Sequence, residues 1–126
     1  IGDCVMAVFK GPFHLDRAID ACLAIRNTID ALPANNNFSP KVSIGINSGE
    51  MISGNIGSAT LRRLDYTVIG DTVNTAQRLQ SIATQGQILI TEACYEKVKQ
   101  SFHCNKIGSA SLKNKAQEMM LYEVLN

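Results

Sequence analysis

A mixed α/β domain, α+β in the order of its elements, is the fold this sequence predicts. Short runs rich in β-formers alternate with longer stretches of helical spacing, and Gly, Pro and Asn punctuate the junctions between them. A length of 126 residues suffices for one compact core and is short for two.

Gly2-Asp3 reads as a turn that delivers residues 4–9 as a first strand, which implies a partner strand upstream of Ile1. Gly11-Pro12 ends that run. Residues 15–32 place Ile19, Cys22, Leu23, Ile25, Ile29 and Leu32 close to helical spacing, with Asp16, Arg17, Asp20, Arg26 and Asp30 between them. An amphipathic helix packed on a sheet is expected there. Pro33 and Asn35-Asn36-Asn37 end it in a polar loop closed by Pro40. Val42, Ile44 and Ile46 alternate as strand residues, and Asn47-Ser48-Gly49 reads as a hairpin turn into a second strand over 49–56. A further strand is expected over 61–69. Residues 71–83 carry Val73, Ala76, Leu79 and Ile82 at helical spacing. A short apolar strand at 87–90, a helix over 91–101 with Thr91 as its N-cap, and closing strands at 103–107 and 119–124 complete the chain. The pattern amounts to three or four helices and six or seven strands.

Composition narrows the function. Hydrophobic residues make up 45% and charged residues 18%, and the net charge of +1 is spread along the chain. Nothing here favours a nucleic-acid partner or an anionic membrane surface. No apolar run approaches the roughly 20 residues that span a bilayer, so no direct membrane insertion is expected, and no secretory leader is visible. Cys4, Cys22, Cys94 and Cys104 are scattered, without a CxxC or a nearby His pair. Reduced thiols in a cytoplasmic protein are expected rather than zinc ligands or disulfides. The sequence lacks a GxxxxGK[ST] P-loop and a GxGxxG fingerprint. His14 and His103 have no carboxylate or thiol neighbours in sequence and are expected to be structural.

The residues with chemical content begin at Gly70-Asp71-Thr72-Val73-Asn74-Thr75-Ala76-Gln77-Arg78. Gly70 permits a sharp exit from a strand, and Asp71 is placed to cap the helix that follows. Asn74 and Arg78, four apart, share one helical face, while Val73, Ala76 and Leu79 point elsewhere. An amide and a planar cation on one face suit an anionic oxygen developing beside a ribose or a phosphate. A solvated helix face with a cap is the plainer reading of the same spacing. Asp3, at the head of a strand, is either a turn carboxylate or one ligand of a nucleotide-bound Mg²⁺. Arg62-Arg63 and Lys113-Asn114-Lys115 each precede a strand and read either as polyphosphate contacts or as solvated loop charge.

Taken in order, these segments resemble the catalytic domain of class III adenylyl/guanylyl cyclases. The matching stretches are Gly2-Asp3-Cys4-Val5-Met6-Ala7-Val8-Phe9, Ile44-Gly45-Ile46-Asn47-Ser48-Gly49-Glu50 and Gly54-Asn55-Ile56-Gly57-Ser58. They continue with Asp65-Tyr66-Thr67-Val68-Ile69-Gly70-Asp71-Thr72-Val73-Asn74 followed by Ala76 and Arg78, then Gly86-Gln87-Ile88-Leu89-Ile90-Thr91-Glu92 and Leu112-Lys113-Asn114-Lys115. The resemblance implies a ferredoxin-like core sheet with helices on one face. It implies a head-to-tail homodimer of cyclase domains with the sites at the interface, and ATP as substrate; a guanylyl cyclase, or a non-catalytic nucleotide-sensing or dimerisation module of the same family, is the alternative. The expected reaction is attack of the ribose 3′-oxygen on the α-phosphorus, giving 3′,5′-cyclic AMP and pyrophosphate with two Mg²⁺ or Mn²⁺ ions per site. Asp3 then matches a metal-binding aspartate, Asn74 the asparagine that orients the ribose, and Arg78 the arginine that stabilises transition-state charge. Thr67 falls at a base-contacting position, where Thr resembles the bicarbonate-responsive subgroup. Lys113, with Arg62 or Arg63, matches polyphosphate contacts. Measured against the family, residues 1–126 are a partial domain: a strand with a further metal aspartate, the phosphate loop and a base-reading lysine belong upstream of Ile1. The chain by itself is therefore expected to be inactive. Asn114 stands where a glycine is common in the family.

Overall fold

The computed structural model describes residues 3–35, 37–50, 52–58, 63–110 and 118–126, with the strands at 52–58 and 63–69 described by their backbone. In chain order the elements are α1 (His14–Asp30), β1 (Ile44–Ile46), β2 (Ile52–Ser58), β3 (Arg63–Ile69), α2 (Asp71–Ile82), β4 (Ile88–Thr91), α3 (Glu92–Val98), β5 (Cys104–Ala110) and β6 (Met119–Val124). The expected mixed α/β class is observed.

A four-stranded sheet has the order β1-β4-β6-β5, and β2 and β3 form a separate antiparallel pair. β1 runs parallel to β4, with Ile44 opposite Ile88 and Ile46 opposite Ile90. β4 and β5 are antiparallel to β6. All four residues of β4, Ile-Leu-Ile-Thr, are buried, as a central strand covered on both faces requires. β5 lies at the edge, carries Asn105, Lys106 and Ser109, and slips register between Lys106 and Gly108, features that blunt an edge against further pairing.

The period-2 alternation of the strands sorts the core into two layers. On one face Ile46, Ile88, Ile90, Tyr122 and Val124 pack with Leu15, Ala18 and Ile19 of α1 and with Cys94 and Val98 of α3. On the other face Leu89 and Leu121 meet Leu79 of α2. The expectation of helices on one face describes α1 and α3. α2 takes the reverse side because Gly45, Leu89 and Leu121 offer it a second apolar strip. Gly45 makes the contact close: a Cβ there would collide with the Ala76 carbonyl and the Gln80 amide, and would lie 2.8 Å from the Leu79 Cβ. Helix and strand thus meet main chain to main chain.

Three expectations need correction. Residues 4–9 form no strand: among the described residues no segment supplies them with a ladder, and residues 3–8 are exposed, Val5 at 92%. Asn47-Ser48-Gly49 is not a hairpin turn. β1 pairs with β4 and β2 with β3, so the segment crosses between sheets. Asp71 does not cap α2. Gly70 holds the N-cap position, with φ 147° and no side-chain cap bond, and Asp71 opens the first turn, where its charge still suits the positive helix end. Thr91 caps α3 as expected, its hydroxyl accepting from the Cys94 amide at 3.3 Å.

α1 starts after Phe13, whose left-handed backbone (φ 56°) turns the chain into the helix. Arg17 clasps the preceding loop, donating to the carbonyls of Pro12 at 3.1 Å and Lys10. At its far side Arg26 donates to the carbonyls of Val124 at 3.2 Å and Leu125 at 2.8 Å, tying α1 to the end of β6. All four cysteines are free. Burial pushes the thiols of Cys22 and Cys104 up.

Candidate active site

The candidate site is built on α2. β3 ends at Ile69, Gly70 reverses the chain, and the helix begins immediately. The Asn74 amide closes the first turn on the Gly70 carbonyl at 3.1 Å. Thr75 and Leu79, one turn apart, are the buried residues of the helix, with Leu79 fully enclosed. That burial fixes the rotation of α2 and turns Asn74 outward. Asn74 is exposed and Arg78 half-buried, and their spacing sets them on one face. Arg78 also anchors the helix end, its carbonyl accepting from the Ser81 hydroxyl at 2.8 Å.

Thr67 lies in β3 opposite Gly54, three residues before the Gly70 turn. Arg63 opens the same strand opposite Ser58, four residues or roughly 13 Å of strand from Thr67. Arg62 and Lys113 lie outside the described residues. Asp3 is exposed, and among the described residues no hydrogen bond or ion pair joins it to α2. Asn74 and Arg78 therefore share one helix face, Thr67 sits on the strand that feeds that helix, and Arg63 stands at the strand's far end.

For a divalent ion, the described residues supply too little by themselves. Among them no group of three or more His, Cys, Asp or Glu side chains is placed to hold a metal. Asp3 can give one carboxylate, which fits an ion that takes its other oxygens from nucleotide phosphates, water and residues beyond those described.

A polar joint missed by the sequence reading stands beside α2. Asn47, half-buried just after β1, donates from Nδ2 to the Thr72 carbonyl at 3.2 Å. Its Oδ1 accepts from the Thr91 hydroxyl at 3.3 Å and from the Cys94 thiol at 3.7 Å. The Thr72 hydroxyl donates to the Glu50 carbonyl at 2.8 Å. Ser48, next in the chain, lies 2.7 Å from Nε2 of His14, the first residue of α1. The other ring nitrogen, Nδ1, donates to the Gly11 carbonyl at 3.2 Å, so the ring is held between Ser48 and the loop before α1. The starts of three helices thus converge on Asn47-Ser48. A polar residue directly after an alternating strand was the available signal, and the turn reading of Asn-Ser-Gly obscured it.

The whole chain, residues 1–126, matches the family described as the adenylate and guanylate cyclase catalytic domain. The chain belongs to that family. Among curated relatives it is 32% identical to the adenylate cyclase of Anabaena cylindrica over 98% of its length, and spans 27% of that protein. Among solved structures it resembles the adenylyl cyclase CyaB from P. aeruginosa, with 28% identity and a TM-score of 0.77, covering 90% of this chain and 59% of that one. It resembles equally the guanylate cyclase domain of RhGC from Catenaria anguillulae, solved in complex with GTP, with 31% identity, a TM-score of 0.81, and 91% and 61% covered. The fold is that of nucleotide cyclase catalytic domains, and the chain spans about three fifths of the solved domains it matches.

Proposed function

We propose that this chain is the greater part of an adenylyl cyclase catalytic domain that converts ATP to 3′,5′-cyclic AMP and pyrophosphate. The observation that carries the reading is the Asn74–Arg78 face, turned outward behind the Gly70 strand exit in a member of the cyclase family. Bound beside it, the ribose would be oriented by the Asn74 amide. The 3′-oxygen attacks the α-phosphorus as the bond to the bridging oxygen of pyrophosphate breaks, and the 3′-hydroxyl proton passes to solvent. The Arg78 guanidinium, fixed and planar, neutralises charge that builds on the α-phosphoryl oxygens. Thr67 contacts the base, and Lys113 with Arg62 or Arg63 holds the polyphosphate. Asp3 would be one ligand of the Mg²⁺ or Mn²⁺ ions, two per site, which when bound would supply electrostatic stabilisation of the phosphates. The site is completed by a second cyclase domain in a head-to-tail homodimer, within a cytoplasmic protein. Among the described residues no helix is long and apolar enough to cross a membrane.

Adenine is favoured by the adenylate cyclases among the curated relatives, from Anabaena cylindrica and Rhizobium meliloti, and Thr67 accommodates it as donor or acceptor. The likeness to a guanylate cyclase domain holding GTP supports guanylyl activity as the second reading. The deciding assay uses the polypeptide that carries this chain with its native flanking sequence, supplied with ATP or GTP and Mg²⁺ or Mn²⁺. Cyclic AMP from ATP is expected; predominant cyclic GMP would reverse the substrate, and neither product would remove the enzymatic reading.

A further inference from the structure

We infer that Asn47 is a positioning residue for the site on α2, a role that rests on the cyclase reading above. The Asn47 side chain uses both ends of its amide. Nδ2 holds the Thr72 carbonyl in the first turn of α2, two residues before Asn74. Oδ1 is held in turn by the Thr91 hydroxyl and the Cys94 thiol, at the start of α3 on the opposite face of the sheet. The Thr91 hydroxyl is itself fixed, since it also accepts from the Cys94 amide. An amide with one end clamped cannot rotate without leaving its acceptor or its donors unsatisfied. The orientation of Asn47 is therefore dictated by the well-packed α1/α3 layer and passed to α2. The Thr72 hydroxyl adds a second tie on the same loop, to the Glu50 carbonyl. Gly49 keeps that loop close, because a Cβ there would lie 2.7 Å from Thr72 Oγ1. α2 has no side-chain cap of its own, and these two ties, both made to carbonyl oxygens, fix where its first turn sits without capping its amides.

The test is Asn47→Asp, which is nearly isosteric. It keeps an acceptor for Thr91 and Cys94 and turns the donor facing the Thr72 carbonyl into a second acceptor. Thr72→Val, which deletes only the hydroxyl tie, is the companion variant on a residue outside the buried core. Both are made in the polypeptide with native flanking sequence. Amide hydrogen exchange over residues 74–78 should quicken by roughly tenfold in each variant, while that of residues 94–98 in α3 stays as in the parent. Turnover should fall by roughly tenfold with KM for the nucleotide changed less than threefold, since a displaced Arg78 is missed most at the transition state. Unchanged exchange in α2 with Asn47→Asp overturns the inference whatever the activity. Quickened exchange with parental kcat overturns the catalytic consequence. A parent that makes no cyclic nucleotide, yet shows the exchange change, removes the proposed function and leaves the anchoring of α2 standing.

Discussion

Arg78 concentrates the proposed chemistry in one side chain. It is half-buried, one turn along the helix from the exposed Asn74. Arg78→Ala should lower turnover by roughly 10²-fold or more with the far-ultraviolet circular dichroism unchanged, as loss of a transition-state contact does. Arg78→Lys should recover little, because an ammonium cannot present two parallel donors. Parental turnover from the alanine variant would remove the role. That Asn74 and Arg78 share a helix face was legible from their spacing of four; the buried side was read less well, since Thr75 and Leu79 are buried while Val73 and Ala76 are only partly covered. Asp3, Arg62 and Lys113 take their proposed roles only from resemblance, since no periodicity in the sequence singles them out. Asn47 was missed for a related reason. Its partners Thr72, Thr91 and Cys94 are distant in sequence, and no local pattern marks a residue for contacts made after the chain has folded.

At the scale of elements, local chemistry located each helix among the described residues and erred at strand pairing. Thr91 capping α3 is a short-range event, and it was readable. The parallel partnership of β1 with β4 requires a crossover through β2, β3 and α2, and nothing near Asn47-Ser48-Gly49 announces it. Gly45 shows what the pairing demands. A methyl group there meets the backbone of α2 instead of a side chain that could swing aside. Gly45→Ala should therefore destabilise the domain by about 3 kcal/mol, at the upper end of overpacking costs, and lower the melting temperature by roughly 10 °C. A melting curve superimposable on that of the parent would show that α2 is not seated on β1 as described.

The molecule as a whole is a sheet between two unequal layers. The α1/α3 side holds the larger cluster, including Ile19, Ile88, Ile90 and Val124, whereas Leu79, Leu89 and Leu121 form the buried centre of the α2 side. Several weakly acidic groups belong to the thicker side. Burial raises the proton affinity of the Cys22 and Cys104 thiols. Burial, together with Glu92, Tyr95 and Glu96, does the same to the Tyr122 phenol, which stacks on Tyr95 at 3.9 Å. Groups that hold protons more firmly when folded contribute stability that is complete below their unfolded values and is lost as pH rises through the folded ones. Those unfolded values are about 8.5 for a thiol and about 10 for a phenol. Melting temperatures taken with reductant should stay level up to about pH 8 and decline above it. A melting temperature that climbs between pH 8 and 11 would contradict the assignment of these groups to the core.

The contact at Gly45 has a mechanical side. Side chains between two elements act as springs, since a rotamer can shift and take up a fraction of an ångström. Between β1 and α2 that cushion is missing at the closest point, where bare strand faces helix carbonyl and amide. Any movement of the first sheet strand is delivered undamped to the turn that carries Asn74 and Arg78.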